Sequence, residues 1–193
     1  HMIDPSVIID IKSIEETRTL TKNADGSYTI GSAVAGAEAH ERDDITTDWP
    51  GVVEAWDLIG STQIQGRASL GGNLCNASPA GDSVPAMVAA GMTANIAGPD
   101  GRRTIPVEEV TAGPGKTTLN KGEFVVSFNL PARPVKGGDA YLRLIPRTEM
   151  DIAVVGCGAA LTLDGSGTVT SAKISLGAVA ATVLVVDLSL IHI

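Results

Sequence analysis

Ser69-Leu70-Gly71-Gly72-Asn73 is the stretch of this chain whose residue types and spacing could do chemistry. Two adjacent glycines let the backbone approach a ligand with no Cβ in between. Their N–H groups can converge on an anion, and the Ser69 hydroxyl and Asn73 amide can add side-chain hydrogen bonds. Asp82 follows as the expected N-cap of a short helix with Pro85 in its first turn, which would bring further N–H groups close by. Taken alone, a glycine pair is more often just a turn. This one has neither the lysine of a Walker loop nor the spaced glycines of a Rossmann fingerprint.

Other chemistries find little footing. Cys75 and Cys157 lie far apart and read as reduced thiols of a cytoplasmic protein. His1, His40 and His192 are scattered, so no metal-ligand spacing exists. His1 ahead of Met2 reads as an addition before a start codon. A formal charge of −8 and an aromatic content of 3% argue against nucleic acid and against an anionic membrane surface as partners. No apolar run reaches membrane-spanning length. With 44% hydrophobic residues among 193, the chain can bury one sizeable core or two small lobes.

The elements that must position the glycine stretch can be read along the chain. Val7 to Ile11 and Ser27 to Ser32 predict strands, with Asn23 to Gly26 as the turn before the second. Asp48 predicts a helix cap, with Pro50 in the first turn, Val52, Val53, Trp56 and Ile59 on one face, and Gly60 as the stop. Ile64 to Leu74 has no clean period and predicts a loop. A helix after Asp82 ends at Gly91. Strands follow at Thr93 to Ala97, Arg103 to Val107 and Phe124 to Leu130, with Pro99-Asp100-Gly101 as a turn. Ala132 to Gly138 predicts a linker, and Asp164-Gly165-Ser166-Gly167 a hairpin between strands at Ile152 to Leu163 and Val169 to Leu176. Strands and helices mix without strict alternation, which predicts an α+β fold.

The longer context is more specific. Ile64 to Ala90, with its Ser-Leu-Gly-Gly-Asn core, then Ala77-Ser78-Pro79-Ala80-Gly81-Asp82 and Pro85, resembles the second FAD-binding motif of the molybdenum hydroxylase flavoproteins. These are the medium subunits of carbon monoxide dehydrogenase and the flavin domains of xanthine dehydrogenase. Tyr28 to Ser32 resembles the family's Ile-Gly-Ala strand. Tyr141, Arg143, Arg147 and Asp151-Ile152-Ala153 resemble the start of its C-terminal domain. The resemblance implies the second subdomain of a PCMH-type FAD-binding domain at 4–131, a partial antiparallel-sheet domain at 137–182, and an atypical tail at 183–193.

By that resemblance the cofactor is FAD, lined by Ser69 (where the family usually has threonine), Leu70, Gly71, Gly72 and Asn73. Asp82 matches an acid that bonds the cofactor's polar linker region. Arg143 falls where relatives carry a lysine near the isoalloxazine; a solvated strand charge is the competing reading. Arg147 and Asp151 are expected to pair structurally. The implied function is electron relay beside a molybdopterin subunit and an iron–sulfur subunit, with no catalytic side chain required here. The family's first FAD loop would lie ahead of Pro5, so flavin is expected to bind weakly or not at all. The rival reading is a folded fragment that self-associates without flavin. The apolar tail from Val183 is expected to add a strand, preferably to a second copy.

Overall fold

The structure is a computed structural model that describes residues 5–148 and 150–186. Its first half is organised around an antiparallel sheet. β1 (Leu20–Lys22) and β2 (Tyr28–Gly31) form a hairpin closed at Asn23, whose carbonyl accepts from the Gly26 N–H at 3.0 Å. Three short helices follow: α1 (Gly36–His40), α2 (Asp43–Asp48) and α3 (Pro50–Asp57). α4 (Leu70–Cys75) and the buried α5 (Ser83–Ala89) come next. The chain then returns as the hairpin β3 (Thr93–Gly98) and β4 (Gly101–Pro106), a minor ribbon β5 (Thr111–Gly113) and β6 (Lys116–Thr117), and β7 (Phe124–Leu130). The sheet order β1-β2-β7-β3-β4 puts β7 at the centre, where Tyr28 pairs with Leu130 and Thr93 with Asn129.

A second antiparallel sheet completes the fold. β8 (Gly137–Leu144), β9 (Val155–Leu163), β10 (Val169–Gly177) and β11 (Leu184–Val185) lie in the order β11-β10-β9-β8. α5 is buried along its whole length, with Met87 and Val88 fully inside, because β9 and β10 cover the side that the first half leaves open. The approach is close: a Cβ on Gly158 would come within 2.4 Å of the Pro85 carbonyl oxygen. The main core joins Tyr28, Ile30, Trp56, Leu70, Met87 and Phe128 into one cluster. The architecture is α+β with antiparallel sheets and short helices, as the residue pattern predicts.

Several local expectations are corrected. Val7 to Ile11 is not a strand: Val7, Ile8 and Ile9 are exposed and irregular, Ile11 opens a 3-10 turn at Ile11–Ser13, and no strand among the described residues pairs with them. Asp48 does not cap α3. It is the last residue of α2, and its carboxylate accepts from the Tyr28 hydroxyl at 2.7 Å and the Lys22 ammonium at 2.6 Å. Residues 64–74 are not all loop, since α4 begins inside them. Asp82 offers α5 no side-chain cap, because its carboxylate is engaged elsewhere.

The tail also corrects an expectation. Leu184 and Val185 pair with Leu176 and Ser175 of the same chain, and Val183 and Val185 pack on the main core. The strand addition expected in a second copy occurs within this one. The rest of the predicted tail, residues 187–193, lies outside the described residues. A chain ending at Ala181 is expected to lose about 1–3 kcal/mol of stability, from half-buried aliphatic side chains and their ladder bonds. Urea denaturation reads this directly, and an unchanged midpoint would mean the strand carries no weight.

Candidate functional site

The glycine stretch folds as it does because Ser69 caps α4. Its backbone is extended, and its hydroxyl accepts from the Gly72 N–H at 3.1 Å. The Gly71 N–H donates to the Ser32 carbonyl at the end of β2, also at 3.1 Å. Both glycine N–H groups are thus engaged within the chain, which corrects the expectation that they converge on an anion. Leu70 points into the core and is fully buried, so it has only backbone to offer a ligand. Asn73 fixes the next element, its side-chain carbonyl accepting from the Ser83 N–H at 3.2 Å and hydroxyl at 2.8 Å.

The two glycines differ in what surrounds them. A Cβ on Gly71 would sit 2.4 Å from the Ser32 carbonyl oxygen, so α4 and β2 touch here backbone to backbone. A Cβ on Gly72 would meet only the Ser69 hydroxyl, at 3.2 Å, and Gly72 is exposed. That open face borders a cavity of about 380 Å³, whose lining includes Ser69, Gly71, Gly72, Ser32, Lys12 and Arg67. Asp10 and Cys75 also line it, with apolar walls from Ile9, Phe124 and Val125. Burial pushes the Cys75 thiol up from its ordinary pKa. Burial likewise lowers the pKa of the Lys12 ammonium, and nearby Arg18 and Arg67 add to that.

Asp82 and Arg143 meet at a different place. The Arg143 guanidinium donates to the Asp82 carboxylate at 3.0 Å and to the Leu58 carbonyl at 3.3 Å. The Tyr141 hydroxyl donates to the other carboxylate oxygen at 3.1 Å. The Arg143 side chain is only 9% exposed, so the solvated-charge reading is wrong. Burial raises the Asp82 carboxyl above its usual pKa, against the opposing pull of Arg143 and Tyr141. Tyr141 is pushed well above a free phenol, first by burial and then by the charge of Asp82. Asp82 and Arg143 border a second cavity of about 200 Å³. It shares no lining residue with the first, and the Asn73–Ser83 bridge ties the two regions together. Arg147 and Asp151 pair as expected, with a bond of 2.8 Å.

Sequence reasoning gave no site role to Ser32, Lys12 and Arg67, which line the first cavity, or to Tyr141, which bonds Asp82. Ser32 carries the clearest signal in the structure: it is 2% exposed, and its hydroxyl has no hydrogen-bond partner among the described residues. From sequence, the only hint was a hydroxyl where the resembled strand has alanine. Among the described residues no cluster of His, Cys, Asp and Glu could hold a metal ion, and no helix is long and apolar enough to cross a membrane.

The comparisons with known proteins agree with this layout. Residues 1–133 match the family model for the FAD binding domain in molybdopterin dehydrogenase, and residues 140–188 match the carbon monoxide dehydrogenase flavoprotein C-terminal domain. The chain is 32% identical over 176 residues to the xanthine dehydrogenase FAD-binding subunit of Escherichia coli O157:H7, covering 91% of this chain and 60% of that one. It is 32% identical over 185 residues to the carbon monoxide dehydrogenase medium chain of Hydrogenophaga pseudoflava, covering 93% and 62%. A chain in a solved structure of carbon monoxide dehydrogenase from Hydrogenophaga pseudoflava superposes with a TM-score of 0.85 at 29% identity, over 92% of this chain and 61% of its own length. The chain therefore spans about 60% of the length of these relatives. With sheets, helices and glycine loop laid out as described, this chain belongs to the family of FAD-binding domains of molybdopterin dehydrogenases.

Proposed function

We propose that this chain holds FAD in the cavity beside Ser69 and Gly72 and serves as the flavin module of a molybdopterin-dependent dehydrogenase. The observation that carries the reading is the open face of Gly72, which borders about 380 Å³ of space walled by both apolar and cationic side chains. That lining suits a ligand with a flat apolar ring system and a charged diphosphate. FAD, when bound, supplies the electron acceptance and donation. The chain's own residues bind and orient it. Gly72 admits the ligand close to the backbone, Ser69 offers its hydroxyl oxygen, and Gly71 holds α4 against β2. Asn73 acts by fixing α4 to α5. Asp82 and Arg143, held by Tyr141, form a buried polar group that a second part of the cofactor reaches on this reading.

By the same reading the working partners are a molybdopterin subunit that oxidises the substrate and an iron–sulfur subunit that passes the electrons on. The test is a titration of the purified protein with FAD, followed by flavin absorbance and fluorescence. The intact chain is expected to bind weakly but measurably. Gly72→Val is expected to weaken binding at least tenfold, about 1.4 kcal/mol, with an unchanged circular dichroism spectrum. Equal binding by both proteins would reduce the loop to a turn. An intact chain that takes up no flavin would favour the rival reading of a folded but flavin-free module.

A further inference from the structure

We propose that the outer face of the second sheet, the side turned away from α5, docks a second copy of this chain, the two copies meeting sheet against sheet. Direct pairing sets which side chains share that face. Leu142 of β8, Cys157 of β9, Leu176 of β10 and Leu184 of β11 stand opposite one another in one row across all four strands. Two residues along each strand, the next row is Ala140, Ala159 and Ile174, and Leu144 with Val155 flank the first row on its other side. These rows hold no charged residue. The polar side chains of the same strands point the other way. Tyr141 and Arg143 bond Asp82, the Asp139 carboxylate accepts from the Val52 N–H at 3.1 Å, and the Ser175 hydroxyl donates to the Pro85 carbonyl. An antiparallel sheet with one solvated face ordinarily alternates in the opposite sense, polar residues to water and apolar ones inward. Here Leu142 is 75% exposed, Leu144 61% and Leu184 47%, which is the pattern of a face that is covered when the protein works.

Area and charge name the occupant. β8, β9 and β10 run for eight, nine and nine residues. At about 3.3 Å per residue and about 4.8 Å between strands they present roughly 400 Å² in projection, and more as accessible surface. Two such faces together reach the order of 1,000 Å², where weak but specific interfaces begin. A two-fold pairing sets each patch against its own copy, which brings like charges together on most surfaces. This face has none to bring. Away from it the chain carries a net charge of −8, so two copies repel at long range, and salt screens that repulsion. The dimer is therefore expected to be weak and to tighten with ionic strength. None of the row residues lines the cavity beside Gly72, so the proposal stands apart from the flavin reading.

Sedimentation equilibrium and light scattering on the intact protein and on the double variant Leu142→Lys/Leu144→Lys test this. Both side chains are exposed, so folding is secure, and circular dichroism checks it. The intact protein is expected to show a concentration-dependent monomer–dimer equilibrium that shifts towards dimer as salt is added. The double variant is expected to associate about a hundredfold more weakly, because each substitution acts twice in a two-fold dimer. Each lysine also lowers the net negative charge, so repulsion between whole chains does not account for such a loss. Cys157 reports the interface directly: its alkylation, followed by peptide mass spectrometry, is expected to slow as the intact protein is concentrated and to stay constant in the double variant. An intact protein that remains monomeric throughout, a dimer that persists in the double variant or dissociates on adding salt, or a Cys157 labelled equally in monomer and dimer overturns the proposal. A monomer that binds an apolar dye through Leu142 and Leu144 overturns it too, and gives the face to a different apolar partner.

Discussion

Alanine in place of Gly71 lowers stability by about 1–3 kcal/mol, while the same change at Gly72 leaves the fold almost untouched. A Cβ at position 71 would stand 2.4 Å from the Ser32 carbonyl oxygen and 2.7 Å from the Ser32 Cβ, both far inside contact distance. Neither atom can move freely. The Ser32 N–H donates to the Val126 carbonyl of β7 at 2.9 Å, and the Ser32 carbonyl accepts from the Gly71 N–H itself. α4 would have to lift off the end of β2, pulling the fully buried Leu70 and Leu74 out of register with the core. For a chain of this size the loss corresponds to a fall in Tm of roughly 2–12 °C. Thermal denaturation of the two alanine variants side by side checks it. Equal midpoints would mean that the backbone contact at Gly71 relaxes at little expense.

Replacing Arg143 with methionine is expected to cost about 3 kcal/mol at neutral pH, and the loss should depend on pH in a defined direction. The Arg143 and Asp82 side chains are 9% and 13% exposed, so the substitution leaves a mostly buried carboxylate with only Tyr141 as partner. Burial already holds the Asp82 pKa above its usual value, and removing the guanidinium raises it further. A carboxyl whose folded pKa exceeds its unfolded value contributes stability that is complete below the unfolded pKa, near about 4, and is lost as pH rises through the folded pKa. The variant's deficit relative to the intact protein should therefore be small at acid pH and grow towards pH 8. Urea denaturation at both ends of that range measures it, and a deficit that does not change with pH would rule out the Asp82 charge as its source. The further change Asp82→Asn in the methionine background should recover part of the loss.

These predictions depend on how unevenly the molecule could be read from its sequence. The turns at Asn23 to Gly26, Pro99 to Gly101 and Asp164 to Gly167 were legible, since glycine and aspartate serve them through purely local geometry. The Gly167 backbone has a φ of +89°, and the Asp164 carboxylate accepts from the Ser166 N–H at 2.8 Å and the Thr168 N–H at 2.9 Å. The buried face of α3 was legible for a similar reason, because Val52, Val53 and Trp56 recur with the helical period. Val7 to Ile11 misled because β-branched residues describe a strand only where a neighbour exists to pair with them.

By itself, then, the sequence determined the α+β class, the principal hairpins, the helical face of α3 and the family, all of which follow from residue order over short spans. It also marked Ser69 to Asn73 as special. Only the tertiary structure decided what each of those residues does. Asp82 reads as a helix cap until Tyr141 and Arg143, 59 and 61 positions away, take its carboxylate. Gly71 and Gly72 are equivalent in sequence, yet one is pressed against Ser32 while the other borders the cavity. Lys12, Ser32 and Arg67 line one space because the 3-10 turn, the end of β2 and the approach to α4 converge there. The physical reason is common to all three: a side chain's charge state and partners are set by groups brought near in space, and packing chooses those without regard to distance along the chain.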